Sequence, residues 1–295
     1  PARENAPALL LAPLVHSGKI SGAIVVSHPN GFSKAAQNFL ERLAGRAAAA
    51  VENARLYEAV DSANEQKSQF VSIVTHELRI PLTSIKGYAD LIRQGIVGEV
   101  TDQQAEFLDV IANNVERMSD LISDLSDISR IERGRIKLEM EQVQLQGNIK
   151  ETLDSLKHKL EEKSQSLTTD IPTETLHVYA DSSRVVQVLT NLISNAWKYT
   201  PEGGEITVKA YEKEERVCVE VIDTGFGISE EDQSKLFTQF FRSDSPSVRE
   251  QNGWGLGLNV TRRLVELMGG EIGFHSKLDE GSTFWFILPS KPVEE

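Results

Sequence analysis

Between residues 71 and 92 the apolar positions recur at intervals of three and four. Val71, Val74, Leu78, Leu82, Ile85, Ala89 and Ile92 therefore fall on one stripe of an α-helix. His76 lies two residues from both Val74 and Leu78, which at about 100° per residue turns it away from the stripe and into solvent. Pro81, inside the same pattern, removes the hydrogen bond to the carbonyl of Glu77 and predicts a bend just past the histidine. A break at residues 95–98 and a start signal at Thr101-Asp102 lead into a second helical pattern of Phe107, Ile111, Met118, Leu121, Leu125 and Ile128. Asn114 interrupts that seam, where a buried asparagine would set register. Two such helices make a hairpin. One hairpin buries too little surface alone, so the pattern predicts two of them paired in a four-helix bundle, a homodimer.

Upstream, two short apolar runs at residues 9–15 and 20–26, separated by His16-Ser17-Gly18-Lys19, predict a hairpin. From Lys34 to Ile80 there is no proline and one glycine, Gly45, so a single helix is expected, on the order of 90 Å long if it continues to Arg93. A hairpin and a helix do not bury their own apolar faces, and residues 1–33 read as the remnant of a larger domain. After Gly134 the period changes. Strands are expected near 143, 166–170, 176–180, 205–211, 216–222, 271–276 and 282–288, with helices at 147–164, 182–199 and 256–268. That mixture predicts an α+β sandwich, one sheet with helices on one face.

Composition narrows the function classes. At 295 residues the chain has room for about two domains with separate cores. A net charge of −13 and a pI near 5.0 argue against nucleic acid or an anionic membrane as partner, since either needs clustered Lys and Arg, which the sequence does not show. The single cysteine, Cys218, lies in an apolar strand pattern, which fits a reducing, cytoplasmic setting. No apolar run reaches the length of about 20 residues that a membrane helix needs, and a start at Pro1 suggests a fragment or a processed chain.

Three polar or glycine-rich elements carry the candidate chemistry. In the helix at 182–199, Asn191, Asn195 and Lys198 share one face; amide oxygens can help hold Mg²⁺ and the ammonium can meet phosphate. The strand at 217–222 runs into Asp223-Thr224-Gly225-Phe226-Gly227, where the carboxylate can accept from an exocyclic amine such as that of adenine and the glycines let a flat ligand approach. Gly253-Trp254-Gly255-Leu256-Gly257 opens a helix whose amides and dipole can receive phosphate.

In this order the elements resemble a sensor histidine kinase of two-component systems. His76-Glu77-Leu78-Arg79 with Pro81-Leu82 is similar to that family's H box, 191–199 to its N box, 223–227 to G1, 237–241 to the F box and 253–257 to G2. The resemblance covers roughly residues 60–290. Residues 32–57 resemble the C-terminal end of a GAF sensor domain. The domain order implied is a partial GAF-like remnant (1–33), a coiled-coil signalling helix (34–61), a HisKA-type dimerisation and histidine phosphotransfer domain (62–134) and a GHKL-type catalytic ATP-binding domain (135–295).

By resemblance His76 attacks the γ-phosphate of ATP to form phosphohistidine, which then passes to an aspartate of a response regulator receiver domain. An imidazole titrates near neutrality, so one ring nitrogen is available as nucleophile, and Glu77 would polarise the other. Asn195 would ligate Mg²⁺, with Asn191, Lys198 and Tyr199 bordering the nucleotide. Asp223 would read adenine, Gly225 and Gly227 would shape its pocket, and Gly253, Gly255 and Gly257 would sit under the phosphates. Residues 229–254 would be a mobile ATP lid anchored by Phe237, Phe240 and Phe241.

Three positions depart from the family pattern. Ile80 stands one turn after His76 where Thr or Asn is usual, and a hydrocarbon does not orient the water that removes phosphate from the regulator; weak phosphatase activity is expected. Trp197 is expected to pack inward, and Trp254 places a large side chain at the lid hinge. Two other readings stay open at this point: a dimeric scaffold with a degenerate nucleotide site, and a gyrase- or MutL-type ATPase, against which the histidine-bearing hairpin argues.

Overall fold

A computed structural model describes residues 7–249, 251 and 253–292. The chain divides into two compact units, residues 1–70 and 71–295. In the first, β1 (Ala8–His16) and β2 (Lys19–His28) form an antiparallel hairpin. Its turn puts Ser17 and Gly18 at φ 48° and 80°, the paired positive values that match strand twist. Alternation sends Leu10, Ala12, Leu14, Ile24 and Val26 onto Leu40 and Ala44 of the helix that follows, while Leu9, Leu11 and Val25 stay exposed. That helix, α1 (Lys34–Arg93), opens with the Ser33 hydroxyl accepting from the Ala36 amide at 3.2 Å.

The second unit begins with a helical hairpin. α2 (Asp102–Glu132) starts in a capping box: the Gln104 amide donates to Thr101 Oγ1, and the Thr101 amide to Gln104 Oε1. The seam differs from the expected stripe. Thr75, Leu82 and Ala89 of α1 are buried, at intervals of seven, as are Leu108, Val115 and Ile122 of α2; Leu82, Val115 and Ile122 form one cluster. Leu78, Ile85 and Ile92 are left 40%, 46% and 39% exposed on a second face. The single broad stripe of the sequence is thus two narrow seams, each with its own seven-residue spacing. Asn114 is likewise exposed, donating to the Val110 carbonyl.

Beyond the hairpin come β3 (Glu141–Gln144), α3 (Leu145–Glu162), β4 (Ser166–Asp170), β5 (His177–Ala180), α4 (Ser182–Tyr199), β6 (Glu205–Lys213) and β7 (Arg216–Asp223). The short α5 (Glu230–Gln233) and α6 (Pro246–Arg249) precede α7 (Gly257–Leu267), β8 (Glu271–Lys277) and β9 (Gly281–Pro289). The main sheet has the order β4-β6-β7-β9-β8, with β4 parallel to β6 and the other pairs antiparallel. The expectation of one sheet is corrected. β5 pairs with β3 in a separate two-stranded ribbon, Val143 opposite Val178, because β5 turns directly into α4 through the Asp181 cap.

One face of the sheet makes the core. Ile206, Val208 and Ala210 of β6, Val217, Val219 and Val221 of β7, and Phe284, Phe286 and Leu288 of β9 pack on Ile149 of α3, Val185, Leu189 and Leu192 of α4, and Val260 and Leu264 of α7. Ile128 of α2 is buried in the same cluster. Cys218 points to the other face, beside Tyr211 and Ile287 in the ladder, and is buried. Among the described residues no helix is long and apolar enough to cross a membrane.

Candidate active site

His76 stands out from α1 with 68% of its side chain exposed, and Nδ1 lies 3.3 Å from Oε1 of Glu77, itself 70% exposed. Among the described residues Nε2 has no hydrogen-bond partner. Ile80, four residues on and so on the same side of the helix, is 58% exposed.

The nucleotide-type site is built where α4, β7 and α7 end or begin. α4 terminates at Tyr199, and its last carbonyls are claimed by two side chains from the α3–β4 turn. Lys163 Nζ donates to the carbonyls of Trp197 (3.0 Å), Lys198 (3.1 Å) and Thr200 (3.4 Å), while Gln165 Nε2 donates to those of Thr200 (2.7 Å) and Trp197 (3.1 Å). A cation at a helix C-terminus also meets the negative end of the dipole. Trp197 packs inward as expected, its Nε1 donating to the Lys159 carbonyl, with the ammonium groups of Lys163 and Lys159 at 5.1 and 5.7 Å from the ring centre. This fixes the end of α4, whose Tyr199 carbonyl accepts the Phe226 amide of the next loop at 3.1 Å.

Asp223 ends β7 and is 6% exposed. The Gly225 amide donates to its Oδ1 at 2.9 Å, and burial pushes its carboxyl up to about 6 against the pull of that amide and of Ser282's. The glycines are required by close approach. A Cβ on Gly225 would lie 2.5 Å from the Tyr199 carbonyl oxygen, and one on Gly227, at φ 64°, 1.9 Å from that of Lys277. Gly255, at φ 70°, turns against Phe241, and a Cβ on Gly257 would strike the Asn191 amide. Asn191 is thereby packed under the start of α7 and donates to Thr261 Oγ1 at 2.6 Å. α7 opens with no side chain capping its amides. Gly253 meets nothing within 4 Å of an added Cβ.

Asn195 and Lys198 are half-buried on the α4 face that carries Asn191, and among the described residues neither side-chain head makes a hydrogen bond. Burial raises the Tyr199 hydroxyl above its ordinary range and lowers the Lys198 ammonium.

The segment 229–254, expected to form the lid, includes Glu250 and Asn252, which lie outside the described residues. Phe237 packs on Phe274 at 5.9 Å, and its carbonyl accepts from Asn259; Phe241 sits 6.0 Å below the Lys235 ammonium. Phe240 does not anchor the lid through its ring. It is 62% exposed at φ 61°, and its amide donates to the Gly255 carbonyl at 2.9 Å. Trp254, at the hinge, is 46% exposed. The residue missed from sequence is Arg242, whose guanidinium donates to the carbonyls of Gly253, Val248 and Gln251 and closes the segment on itself. Its place directly after Phe240-Phe241 was the available signal.

Three family models match the chain. The one described as "Histidine kinase-, DNA gyrase B-, and HSP90-like ATPase" covers residues 180–292, "His Kinase A (phospho-acceptor) domain" covers 66–134, and "GAF domain" covers 2–51. The chain is similar to the circadian input-output histidine kinase CikA of Synechococcus elongatus, 35% identical over 79% of this chain and 31% of that one. BarA of Escherichia coli is 36% identical over 75% and 24%, and the sensor histidine kinase WalK of Bacillus subtilis 34% over 79% and 38%. The chain thus spans between a quarter and two fifths of the length of these relatives. Among solved structures, full-length ShkA in complex with AMPPNP is similar with a TM-score of 0.62 and 26% identity, covering 75% of this chain and 45% of that one. The chain therefore carries two domains that sensor histidine kinases share, a His Kinase A phosphoacceptor domain over residues 66–134 and a histidine kinase-type ATPase domain over residues 180–292.

Proposed function

We propose that the chain is an ATP-dependent protein-histidine kinase that phosphorylates His76 and passes the phosphoryl group to an aspartate of a response regulator. The observation that carries this reading is the exposed His76, with Glu77 on Nδ1 and Nε2 without a hydrogen-bond partner among the described residues, in the same compact unit as the buried Asp223 and the glycine-shaped loops. Glu77 accepts the Nδ1 proton and leaves the Nε2 lone pair to attack. The N–P bond forms as the bond between the γ-phosphorus and the bridging oxygen breaks, and ADP leaves with that oxygen. Ionised Asp223 accepts from the adenine amine; the uncapped amides of α7 and the Lys198 ammonium face the phosphates. The similar ShkA chain, solved with AMPPNP, supports a nucleotide in such a fold.

The residues also fit Mg²⁺ in one respect. The Asn195 amide, unspent on the protein, can offer one oxygen to an ion that otherwise keeps waters and substrate phosphates. The domain boundaries at 33, 61 and 134, a cytoplasmic setting and a homodimer belong to the same reading. Incubation with γ-labelled ATP should give acid-labile, base-stable label that disappears in His76→Ala while nucleotide still binds. Steady hydrolysis without a phosphoprotein would instead mark a plain ATPase, and binding without either a scaffold.

A further inference from the structure

The face of α4 that carries Asn191, Asn195 and Lys198 also carries Arg184 and Gln187, at spacings of three and four. It looks toward α2 as well as toward the nucleotide loops. On α2, Glu116, Asp120, Asp124 and Asp127 recur at intervals of four, four and three and so form one acidic stripe. Its two ends are pinned. Asp127, 8% exposed at the side chain, accepts from Arg184 Nη1 at 3.2 and 3.3 Å and from Gln187 Nε2 at 2.8 Å; Glu116 lies 3.8 Å from Lys159 of α3. Apolar packing backs these contacts, because Ile128 is buried in the catalytic domain's core with Leu121 and Ile131 against it.

Between the pins, Asp120 and Asp124 come within electrostatic reach of Lys198. No hydrogen bond or ion pair fixes the ammonium there among the described residues, so its charge is shared and open to a stronger anion. The arrangement is uneasy for the acids: burial first, then the charges of Asp120 and Asp127, push Asp124 up to about 6. Arg242, in the segment after Phe240-Phe241, also acts on the Lys198 charge. Lys198 sits on the α4 face that meets α2 through Arg184 and Gln187 and the start of α7, where the phosphates are proposed to lie, through Asn191.

We propose that Asp120 and Asp124 are an internal competitor for nucleotide phosphate, so that docking of the catalytic domain on α2 and binding of ATP oppose each other through Lys198. The inference rests on the nucleotide reading given above. A triphosphate beside Lys198 meets two carboxylates of its own sign, and that repulsion is relieved when the domain leaves α2. Whatever the phosphates lose against the docked state, α2 loses against the nucleotide-bound state, by linkage. The docked arrangement is then a resting state, and ATP itself loosens the domain that must carry its γ-phosphate to His76.

The test is the double variant Asp120→Asn/Asp124→Asn, nearly isosteric and free of the buried like charges, titrated with a fluorescent ATP analogue and followed by hydrogen exchange with AMPPNP and Mg²⁺. The variant should bind about five- to tenfold tighter than the native chain, with the gap closing at high salt. AMPPNP should speed amide exchange across residues 116–127 of the native chain and do so less in the variant. Equal or weaker binding by the folded variant, or nucleotide-induced protection of 116–127, overturns the competition alone. Failure of the native chain to bind nucleotide at all overturns the kinase reading and this inference with it.

Discussion

At the scale of single residues the site is held by groups that burial makes costly. Asp223 titrates near 6 when folded against an ordinary 3.8, so the folded state binds its proton more tightly than the unfolded state does. Its contribution to stability is present below about pH 4 and is lost as pH rises through 6, about 3 kcal/mol by the size of that shift. Asp223→Asn should therefore raise the melting temperature of the nucleotide-free protein at pH 7 and narrow the difference between pH 5 and pH 7. The same substitution should weaken ATP binding, since the neutral amide accepts less strongly from the adenine amine; in the native chain affinity should fall as pH drops below 6. A melting temperature unmoved at pH 7 would show that the charge is solvated after all. Ile80 allows a gain-of-function check. It is exposed one turn from His76, so Ile80→Thr costs no core contact and should speed loss of phosphate from a phosphorylated receiver when ADP is present. An unchanged rate would overturn the expectation that Ile80 weakens phosphatase activity.

At the scale of elements, what the sequence shows depends on how local the physics is. The shared face of Asn191, Asn195 and Lys198 and the strand-end position of Asp223 follow from helical spacing and strand period, so both are legible in the order of the residues alone. Long-range partners are not legible in this way. Lys163 looks like one more surface lysine at the end of an acidic and basic helix, yet it reaches across 34 residues to the carbonyls that end α4. Nor does spacing separate the two seven-residue seams of the hairpin, because residues three and four apart satisfy both. The Lys163 contact has a measurable consequence. With its ammonium gone, the carbonyls of Trp197, Lys198 and Thr200 lose a charged donor, and Gln165 covers only two of the three. Lys163→Met should cost about 1–3 kcal/mol in denaturant unfolding, and should loosen the Tyr199 carbonyl that positions the Asp223 loop. The expected signature is lower nucleotide affinity together with lower stability; a stability loss with affinity intact would mean that the loop is held without the α4 terminus.

At the scale of the molecule, the hairpin is left with a face that a single chain does not cover. Leu78, Ile85 and Ile92 of α1 are exposed at seven-residue intervals, and Ile111 and Met118 of α2, both 42% exposed, share that spacing. Phe107 and Val110 extend the apolar surface toward the hairpin turn, next to a cavity of about 290 Å³ lined by Ile92, Val97 and Leu108. Isolated exposed aliphatics are ordinary, but a periodic stripe on two adjacent helices is the surface that helix bundles bury. A second copy supplies the same stripe, and a two-fold axis parallel to the hairpin turns two open pairs into four packed helices. Light scattering at micromolar concentration should therefore give twice the chain mass. Ile85→Glu with Met118→Glu should give a monomer, because two charges would then face their own counterparts across the axis. Neither side chain is part of the Leu82, Val115 and Ile122 cluster or of the catalytic core, so the monomer should keep its far-ultraviolet spectrum and bind nucleotide as before. A native chain that scatters as a monomer would overturn self-association through this face, and a double variant that stays dimeric would place it elsewhere, on α1 before Phe70.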